Sequence, residues 1–286
     1  EQPAVNRQVL GSSPSGGAQD TAAQTRHDRP MRWLAVCEDD IPSGDEWLSA
    51  AERARQDRMR FTKRRTEYRL RRYAGKRAVA VALGLTDRLS DPSRLARVEL
   101  LNRPGGAPFV RLDGQDAAVD VSLTDRAGWA VCLVGPEGTM ASGTLGVDLE
   151  IVEDRSATFV ADYFTPAEHA FIHTCGASGS DGWAWSANLL WSAKEAALKV
   201  LRVGLRADTR SVEVSLDLQP RADGWAALSV EASSGEVFPG WWRRDGAYLL
   251  TLAAREPHQP PALLDGGSDL AHGIPTHSWI GRPLVE

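Results

Sequence analysis

The chain has 286 residues, of which 42% are hydrophobic, and its formal net charge is -5. This apolar content suffices for one large core or two fused halves of ordinary domain size, whereas no apolar run reaches the roughly 20 residues of a membrane-spanning helix. Three cysteines without a CxxC spacing argue against a disulfide framework or a zinc ribbon. Because the first 30 residues also lack the apolar centre of a signal peptide, we expect a cytoplasmic protein.

The first half of the predicted folded body covers residues 31–145 and follows a linker or disordered segment at residues 1–30. It opens on the strand-like stretch RWLAVCEDD. A strongly basic segment follows at residues 53–77, where twelve Lys or Arg stand against two acidic residues. The segment carries +10, so the rest of the chain sums to -15. A local basic stripe on an acidic protein favours an anionic ligand over general adhesion to nucleic acid, although a solvated helix face has the same composition.

Strand-like stretches follow the basic segment and recur in the second half, residues 146–255. They read ARVELL, PFVRL, AAVDVSL and WAVCLV in the first half, then SVEVSL, WAALSV and AYLLTLA in the second. Residues 256–286 are rich in Pro and Gly and are expected to form a loosely ordered tail.

Two small-residue helices repeat each other, AGKRAVAVALGL at residues 74–85 and SAKEAALKVLRVGL at residues 192–205. A shorter helical segment precedes each of them, and in the second half Thr165 and Glu168 have the spacing of a capping box. The sequence therefore predicts an α+β fold made of two duplicated α+β halves. A site shared by such halves is expected at their interface.

The motif GVDLE, residues 146–150, lies at the end of a predicted strand. Side chains two apart on a strand share a face, so Asp148 and Glu150 project together. Two close carboxylates repel each other unless a cation lies between them, and hard oxygen ligands of this kind suit Mg²⁺. On its own this pattern is a weak signal that more often marks an exposed acidic strand edge, and a magnesium site is the alternative.

The motif WSAKEAALK, residues 191–199, sets three charges into an apolar helical pattern. The simplest interpretation is a solvent-facing stripe in which Glu195 and Lys199 form an i, i+4 ion pair. Together with GVDLE, however, Glu195 supplies a third carboxylate for a metal, and Lys194 and Lys199 supply cations for phosphate oxygens. The chain has no GxxxxGK[ST] loop, so P-loop nucleotide hydrolysis is not expected.

These motifs resemble those of the 4'-phosphopantetheinyl transferase superfamily, in particular its larger, pseudo-dimeric type. Its signature is a G-[VI]-D-x-E strand followed some 40 residues later by W-[ST]-x-K-E-[AS]-x-x-K, and both motifs are present here with that spacing. The resemblance extends over residues 31–255, including the basic helix FTKRRTEYRLRRYAGKRA and a G-x-P element at residues 106–108. It implies a pseudo-dimer of two α+β halves.

The resemblance implies transfer of 4'-phosphopantetheine from coenzyme A to a serine of an apo acyl or peptidyl carrier protein of polyketide or nonribosomal peptide synthesis, with release of 3',5'-ADP. Asp148, Glu150 and Glu195 match the family's Mg²⁺ ligands, and Mn²⁺ is an alternative metal. Glu195 also matches a candidate general base for the serine proton. Lys199 matches the pyrophosphate-binding lysine, and Lys194 a neighbouring phosphate or substrate contact.

Contacts to coenzyme A are expected from cations of the basic helix and from two first-half elements. The expected residues are Arg64, Arg65, Lys76, Arg77, Gly106, Pro108, Ser122, Thr124 and Asp125. Where the family usually has F-N-[IL]-S-H-S, this chain has VSLTDR, residues 121–126, so Asp125 stands in place of histidine. A carboxylate there repels a 3'-phosphate unless Arg126 or another cation compensates it, and weaker binding of coenzyme A is therefore expected.

Two other functions fit parts of the pattern. Scattered acidic residues, lysines and a basic helix also describe a metal-dependent nuclease, but the ordered KExxxK after GVDLE disfavours it. A catalytically inactive module that docks carrier proteins through the basic stripe is disfavoured by the intact motifs. We expect a monomer that binds neither nucleic acid nor membrane, either as a domain of a larger synthase or as a free-standing enzyme beginning near Met31.

Overall fold

The computed structural model describes residues 31–135, 144–203 and 207–276. The predictions for residues 1–30 and 277–286 lie outside this part of the chain. Its α-helices are α1 (Ala50–Asp57), α2 (Thr62–Ala82), α3 (Pro92–Leu95), α4 (Ala157–Tyr163), α5 (Pro166–Cys175) and α6 (Asp181–Leu201). Short 3-10 helices lie at Glu38–Asp40, Thr86–Arg88, Thr209–Ser211 and Leu270–His272.

The strands fall into three sheets within the described residues. The strands are β1 (Arg32–Cys37), β2 (Val98–Asn102), β3 (Pro108–Leu112), β4 (Gln115–Asp116), β5 (Val121–Arg126), β6 (Trp129–Val134), β7 (Leu145–Ile151), β8 (Val212–Leu216), β9 (Ala226–Ala232), β10 (Val237–Asp245), β11 (Tyr248–Ala254) and β12 (Ala262–Leu263). One sheet has the order β12-β1-β6-β5, the second β7-β11-β10-β9-β8, and the third β2-β3-β4. The predicted α+β class is confirmed.

Each of the two larger sheets carries one long helix. The helix α2 packs on β6, β1 and β5, and α6 packs on β7 and β11. The close approach of α6 depends on Gly146, because a Cβ at that position would lie 1.9 Å from the carbonyl oxygen of Ala196. The glycine of GVDLE therefore allows the helix with the KE motif to contact the strand with the acidic pair.

A buried ion pair lies under α2 in the first half. Ser49 and Glu52 form a capping box at the start of α1, and Glu52 also pairs with Lys76 of α2 at 2.7 Å. The Lys76 ammonium further donates to the carbonyl oxygens of Val98 at 2.6 Å and Leu95 at 3.3 Å. Lys76 and Glu52 are both fully buried, so this lysine joins α1, α2 and β2.

The second half contains the same kind of ion pair under α6. The predicted capping box of Thr165 and Glu168 is confirmed at the start of α5, and Glu168 pairs with Lys194 at 2.8 Å. The Lys194 ammonium donates to the carbonyl oxygens of Val212 at 2.6 Å and Thr209 at 2.8 Å. This lysine joins α5, α6 and the start of β8.

The two larger sheets meet along β5 and β7, which are edge strands of their sheets. The Val147 N–H donates to Ser122 Oγ at 3.0 Å, and the Leu149 N–H donates to Thr124 Oγ1 at 3.2 Å. These hydroxyls satisfy backbone groups that would otherwise be buried without partners. The contact places the acidic strand of the second half directly against the first half.

Two expectations about the chain differ from the structure. None of the predicted strand-like stretches covers β10, which contains Pro239-Gly240. The glycine is needed there, since a Cβ on Gly240 would lie 2.0 Å from the carbonyl oxygen of Leu252 on β11. The expected loose tail is wrong for residues 256–276, where β12 pairs in parallel with β1 and Leu264 and Leu270 are buried.

Candidate functional site

The acidic pair lies on β7 against the helix with the KE motif. Asp148 is buried, and its Oδ1 contacts the Lys199 ammonium at 2.8 Å and accepts a hydrogen bond from Thr124 Oγ1 at 3.1 Å. Its other oxygen, Oδ2, is buried and has no hydrogen-bond partner among the described residues. The Asp148 carboxyl therefore has one neutralised oxygen and one unused acceptor.

Glu195 lies near the acidic pair, on the side of α6 that faces β7. Burial raises the pKa of Glu195 to about 7, and the charges of Asp148 and Glu150 add to the shift while Lys199 opposes it. Its Oε1 is buried without a hydrogen-bond partner in the part of the chain that the structure describes. A carboxyl with a pKa near neutrality can exchange a proton at physiological pH, as a general base must.

Glu150 has cationic partners that sequence reasoning missed. Its Oε2 accepts from Arg126 Nε at 2.8 Å and from Arg155 Nη2 at 3.2 Å. Burial raises the pKa of Glu150, and the Arg126 charge opposes that shift. Arg155 in turn donates to Asn188 of α6 at 2.7 Å. The sequence suggests Arg126 only as a partner for Asp125, and no motif links it to the acidic pair.

The site only partly matches the predicted metal shell. Within residues 31–135, 144–203 and 207–276, no group of three or more His, Cys, Asp or Glu side chains is arranged to hold a metal ion. The two unpartnered oxygens, on Asp148 and Glu195, nevertheless fit a hard cation, which favours carboxylate oxygens. Glu150 fits less well, because two guanidinium groups already hold the same oxygen.

A cavity of about 580 Å³ lies between the two halves, next to the acidic pair. It is lined by four residues that the sequence predicted for the substrate site: Gly106, Pro108, Ser122 and Lys199. It is also lined by polar residues that were not predicted: Arg55, Arg71, Arg72, Asn102 and Arg202. The cavity therefore has cations on several walls and a size typical of small-molecule sites.

The cations of α2 point in different directions along the helix. Arg72 is buried beside the cavity, donates to Asn102 Oδ1 at 2.6 Å and keeps a buried Nε without a partner among the described residues. Arg64 and Arg65 lie exposed at the start of α2 and do not line the cavity. Arg77 donates to the carbonyl oxygen of Gly266, away from the cavity.

The structure corrects two lysine assignments. Lys76 and Lys194 were expected to contact phosphate groups, but both are fully buried and each ammonium is saturated by one carboxylate and two backbone carbonyls. Burial lowers the pKa of both ammonium groups, and the paired glutamates oppose the shift. Neither lysine reaches the cavity, so both hold elements of the fold together.

The two remaining predicted residues, Thr124 and Asp125, lie on β5, where the two larger sheets meet. Thr124 is buried and bonds the acidic strand, so it positions Asp148 and does not line the cavity. Asp125 forms an ion pair with Arg71, which supplies a compensating positive charge. Because Arg71 also lines the cavity, the ion pair of Arg71 and Asp125 lies beside it.

Comparison with known proteins agrees with this geometry. No curated protein matches the chain. In the described residues no helix has both the length and the apolar character needed to cross a membrane. Residues 144–235 match the family model described as the 4'-phosphopantetheinyl transferase superfamily. That segment contains Asp148, Glu195 and Lys199, and the match assigns residues 144–235 to the 4'-phosphopantetheinyl transferase superfamily.

Proposed function

We propose that the protein transfers 4'-phosphopantetheine from coenzyme A to a serine hydroxyl of an apo acyl or peptidyl carrier protein, in a Mg²⁺-dependent reaction that releases 3',5'-ADP. The observation that carries this proposal is the position of Lys199. Its ammonium lines the cavity and also contacts Asp148 at 2.8 Å, so one cation serves both the cavity and the acidic pair.

The cationic cavity is proposed as the site of coenzyme A. Lys199 would bind the pyrophosphate and offset the charge that develops as the bridging bond breaks. Arg71 and Arg72 are proposed for phosphate contacts, since both line the cavity and Arg72 retains an unused buried donor. In a phosphoryl transfer, positioning and charge neutralisation of this kind supply most of the acceleration.

The carboxylates are proposed to bind the metal and to move the serine proton. Asp148 and Glu195 would hold Mg²⁺, or Mn²⁺, through their unpartnered oxygens, with Glu150 beside them. When bound, the ion offsets pyrophosphate charge. Glu195, directly or through a water, would accept the serine proton.

The duplicated, pseudo-dimeric architecture is part of the proposal, with halves at residues 31–145 and 146–255. It is supported by two equivalent sets of contacts, in which a capping-box glutamate pairs with a buried lysine of the long helix. A site between two halves of one chain needs no second copy, which is consistent with a monomer. Carrier proteins of polyketide or nonribosomal peptide synthesis are the proposed acceptors.

Incubation with coenzyme A, Mg²⁺ and several apo carrier proteins tests the proposal. Mass spectrometry should detect the addition of one phosphopantetheine, and a carrier whose acceptor serine is replaced by alanine should stay unmodified. We expect Lys199→Met to slow transfer by about 100-fold or more. The matched control is Lys63→Met on exposed α2 surface, which should keep transfer within about twofold.

The same assay separates the other two functions. Absence of a mass shift with every carrier would overturn the transferase proposal. Mg²⁺-dependent cleavage of plasmid DNA would then favour a nuclease, and tight binding of a carrier without transfer would favour a docking module.

A further inference from the structure

Arg126 occupies an unusual place beside the acidic pair. It is the last residue of β5, and Ser122, Thr124 and Arg126 share one face of that strand because they are two residues apart. The hydroxyl groups of Ser122 and Thr124 accept hydrogen bonds from the backbone of β7, whereas Arg126 donates to the side chain of Glu150. The first half therefore inserts a fixed positive charge next to the proposed metal ligands.

The guanidinium group is held on both sides. Arg126 Nε donates to Glu150 Oε2 at 2.8 Å, and Arg126 Nη2 pairs with Glu153 Oε1. All three side chains are nearly buried, with 11%, 6% and 10% of their surfaces exposed. A charged group that is buried away from water is costly to leave without a partner of opposite charge. Arg126 is therefore a built component of the site and not a surface arginine.

Arg155 fixes the same carboxylate from the second half. It contacts Glu150 Oε2 at 3.2 Å and donates to Asn188 Oδ1 at 2.7 Å. Asn188 is itself anchored, because its Nδ2 donates to the carbonyl oxygens of Glu153 at 2.6 Å and Ala184 at 2.7 Å. Glu150 is thus oriented by two arginines, while the nearby unpartnered oxygens belong to Asp148 and Glu195.

We propose that the Arg126 guanidinium takes the place of a metal cation at Glu150. The protein then presents a divalent-cation site of two carboxylates, Asp148 and Glu195, and Arg126 sets the affinity of that site. The inference rests on the proposed function for the identity of the site. A guanidinium group at Glu150 withdraws one carboxylate from the metal and adds positive charge beside it. Both effects lower the affinity for a divalent cation.

Mn²⁺ binding to the purified protein alone, measured by electron paramagnetic resonance, tests the inference. We expect Arg126→Gln to bind Mn²⁺ about tenfold more tightly than the unmodified protein, because one of the two guanidinium groups at Glu150 and its positive charge are removed. Arg126→Lys keeps the charge and should stay within about twofold of the unmodified protein. Arg243→Gln removes another arginine paired with a buried carboxylate, that of Asp245 on β10, and should leave Mn²⁺ affinity unchanged.

Substitutions of the carboxylates identify the ligands. In the otherwise unmodified protein, Glu150→Gln should change Mn²⁺ affinity by less than about twofold, whereas Asp148→Asn should lower it by about tenfold or more. In the Arg126→Gln background, Glu150→Gln should abolish the gain. Because Glu150→Gln leaves Arg126 in place, this comparison remains available if Arg126→Gln does not fold.

Two results would overturn the inference. One is Mn²⁺ affinity in Arg126→Gln that does not exceed that of the unmodified protein, including the case in which neither binds. The other is a loss in Glu150→Gln as large as the loss in Asp148→Asn. Neither measurement uses coenzyme A or a carrier, so failure of this inference is distinct from failure of carrier modification.

Discussion

Replacing Lys194 or Lys199 of α6 by methionine is expected to have different effects: the first change should lower stability and the second should slow transfer. Lys194→Met leaves the Glu168 carboxylate fully buried without its cation and removes donors from two backbone carbonyls. Removing one partner of a buried ion pair costs about 3–5 kcal/mol. At about 2–4 °C per kcal/mol for a chain of this size, the melting temperature should fall by about 6–20 °C.

Lys199→Met is the matched control, because Lys199 is 29% exposed in its side chain and lines the cavity. We expect it to lower the melting temperature by less than about 4 °C and to slow transfer. Thermal unfolding by circular dichroism, together with the KM for coenzyme A, distinguishes the two lysines. If Lys194→Met melts like the unmodified protein but raises KM, Lys194 contacts substrate and the structural assignment is refuted.

A double substitution isolates the ion pair itself. Glu168→Gln removes the charge and keeps one acceptor oxygen, which can serve the backbone N–H of Thr165 or that of Val214 but not both, since the carboxylate uses a separate oxygen for each. The variant with both Lys194→Met and Glu168→Gln should lose less free energy of unfolding than the two single variants lose in sum. Glu168→Gln removes the buried negative charge that Lys194→Met leaves unpaired. Additive losses would mean that the pair contributes no coupling energy.

Four further outcomes are expected. Gly146→Ala should destabilise the protein by about 1–3 kcal/mol in urea titration, because the new Cβ would lie 1.9 Å from a carbonyl oxygen of α6. Arg71→Met should raise the KM for coenzyme A about tenfold, whereas Arg64→Met, outside the cavity, should leave it within about twofold. Mn²⁺ affinity should rise about tenfold from pH 6 to pH 8. The pKa of Glu195 is raised to about 7, so this carboxyl is mostly protonated at pH 6, and only its ionised form binds a cation. Glu195→Gln should remove this pH dependence. Burial raises the pKa of the Cys132 thiol, so Ellman's reagent should modify it only after unfolding, in contrast to the two partly exposed cysteines.

The sequence allowed prediction of features whose cause is local. The strands β3 and β6 coincide with the predicted stretches PFVRL and WAVCLV, because alternating or continuous apolar residues specify a strand without reference to partners. The capping box of Thr165 and Glu168 was predicted for the same reason. The acidic pair and Lys199 were identified from motif and spacing together.

Features that depend on distant partners were not predictable in the same way. Whether a helix lysine faces water or a buried carboxylate depends on a residue more than 20 positions earlier in the chain, as with Lys76 and Glu52. One signal was available but not used, since Ser49 and Glu52 have the same capping-box spacing as Thr165 and Glu168. The arginine at the end of β5 gave no such signal, because its contact with Glu150 arises only when two edge strands meet.

The KE motif of α6 therefore divides into two faces with different tasks. At about 100° per residue, Glu195 and Lys199 are separated by only about 40° around the helix, whereas Lys194 lies about 100° from Glu195. Lys199 faces Asp148 of β7 and the cavity, and Glu195 faces the same strand, while Lys194 faces α5 and β8. A buried ion pair on one face fixes the rotation of α6 about its axis. That rotation positions Glu195 beside Asp148, so the stability of the second half and the geometry of the proposed metal site depend on the same helix orientation.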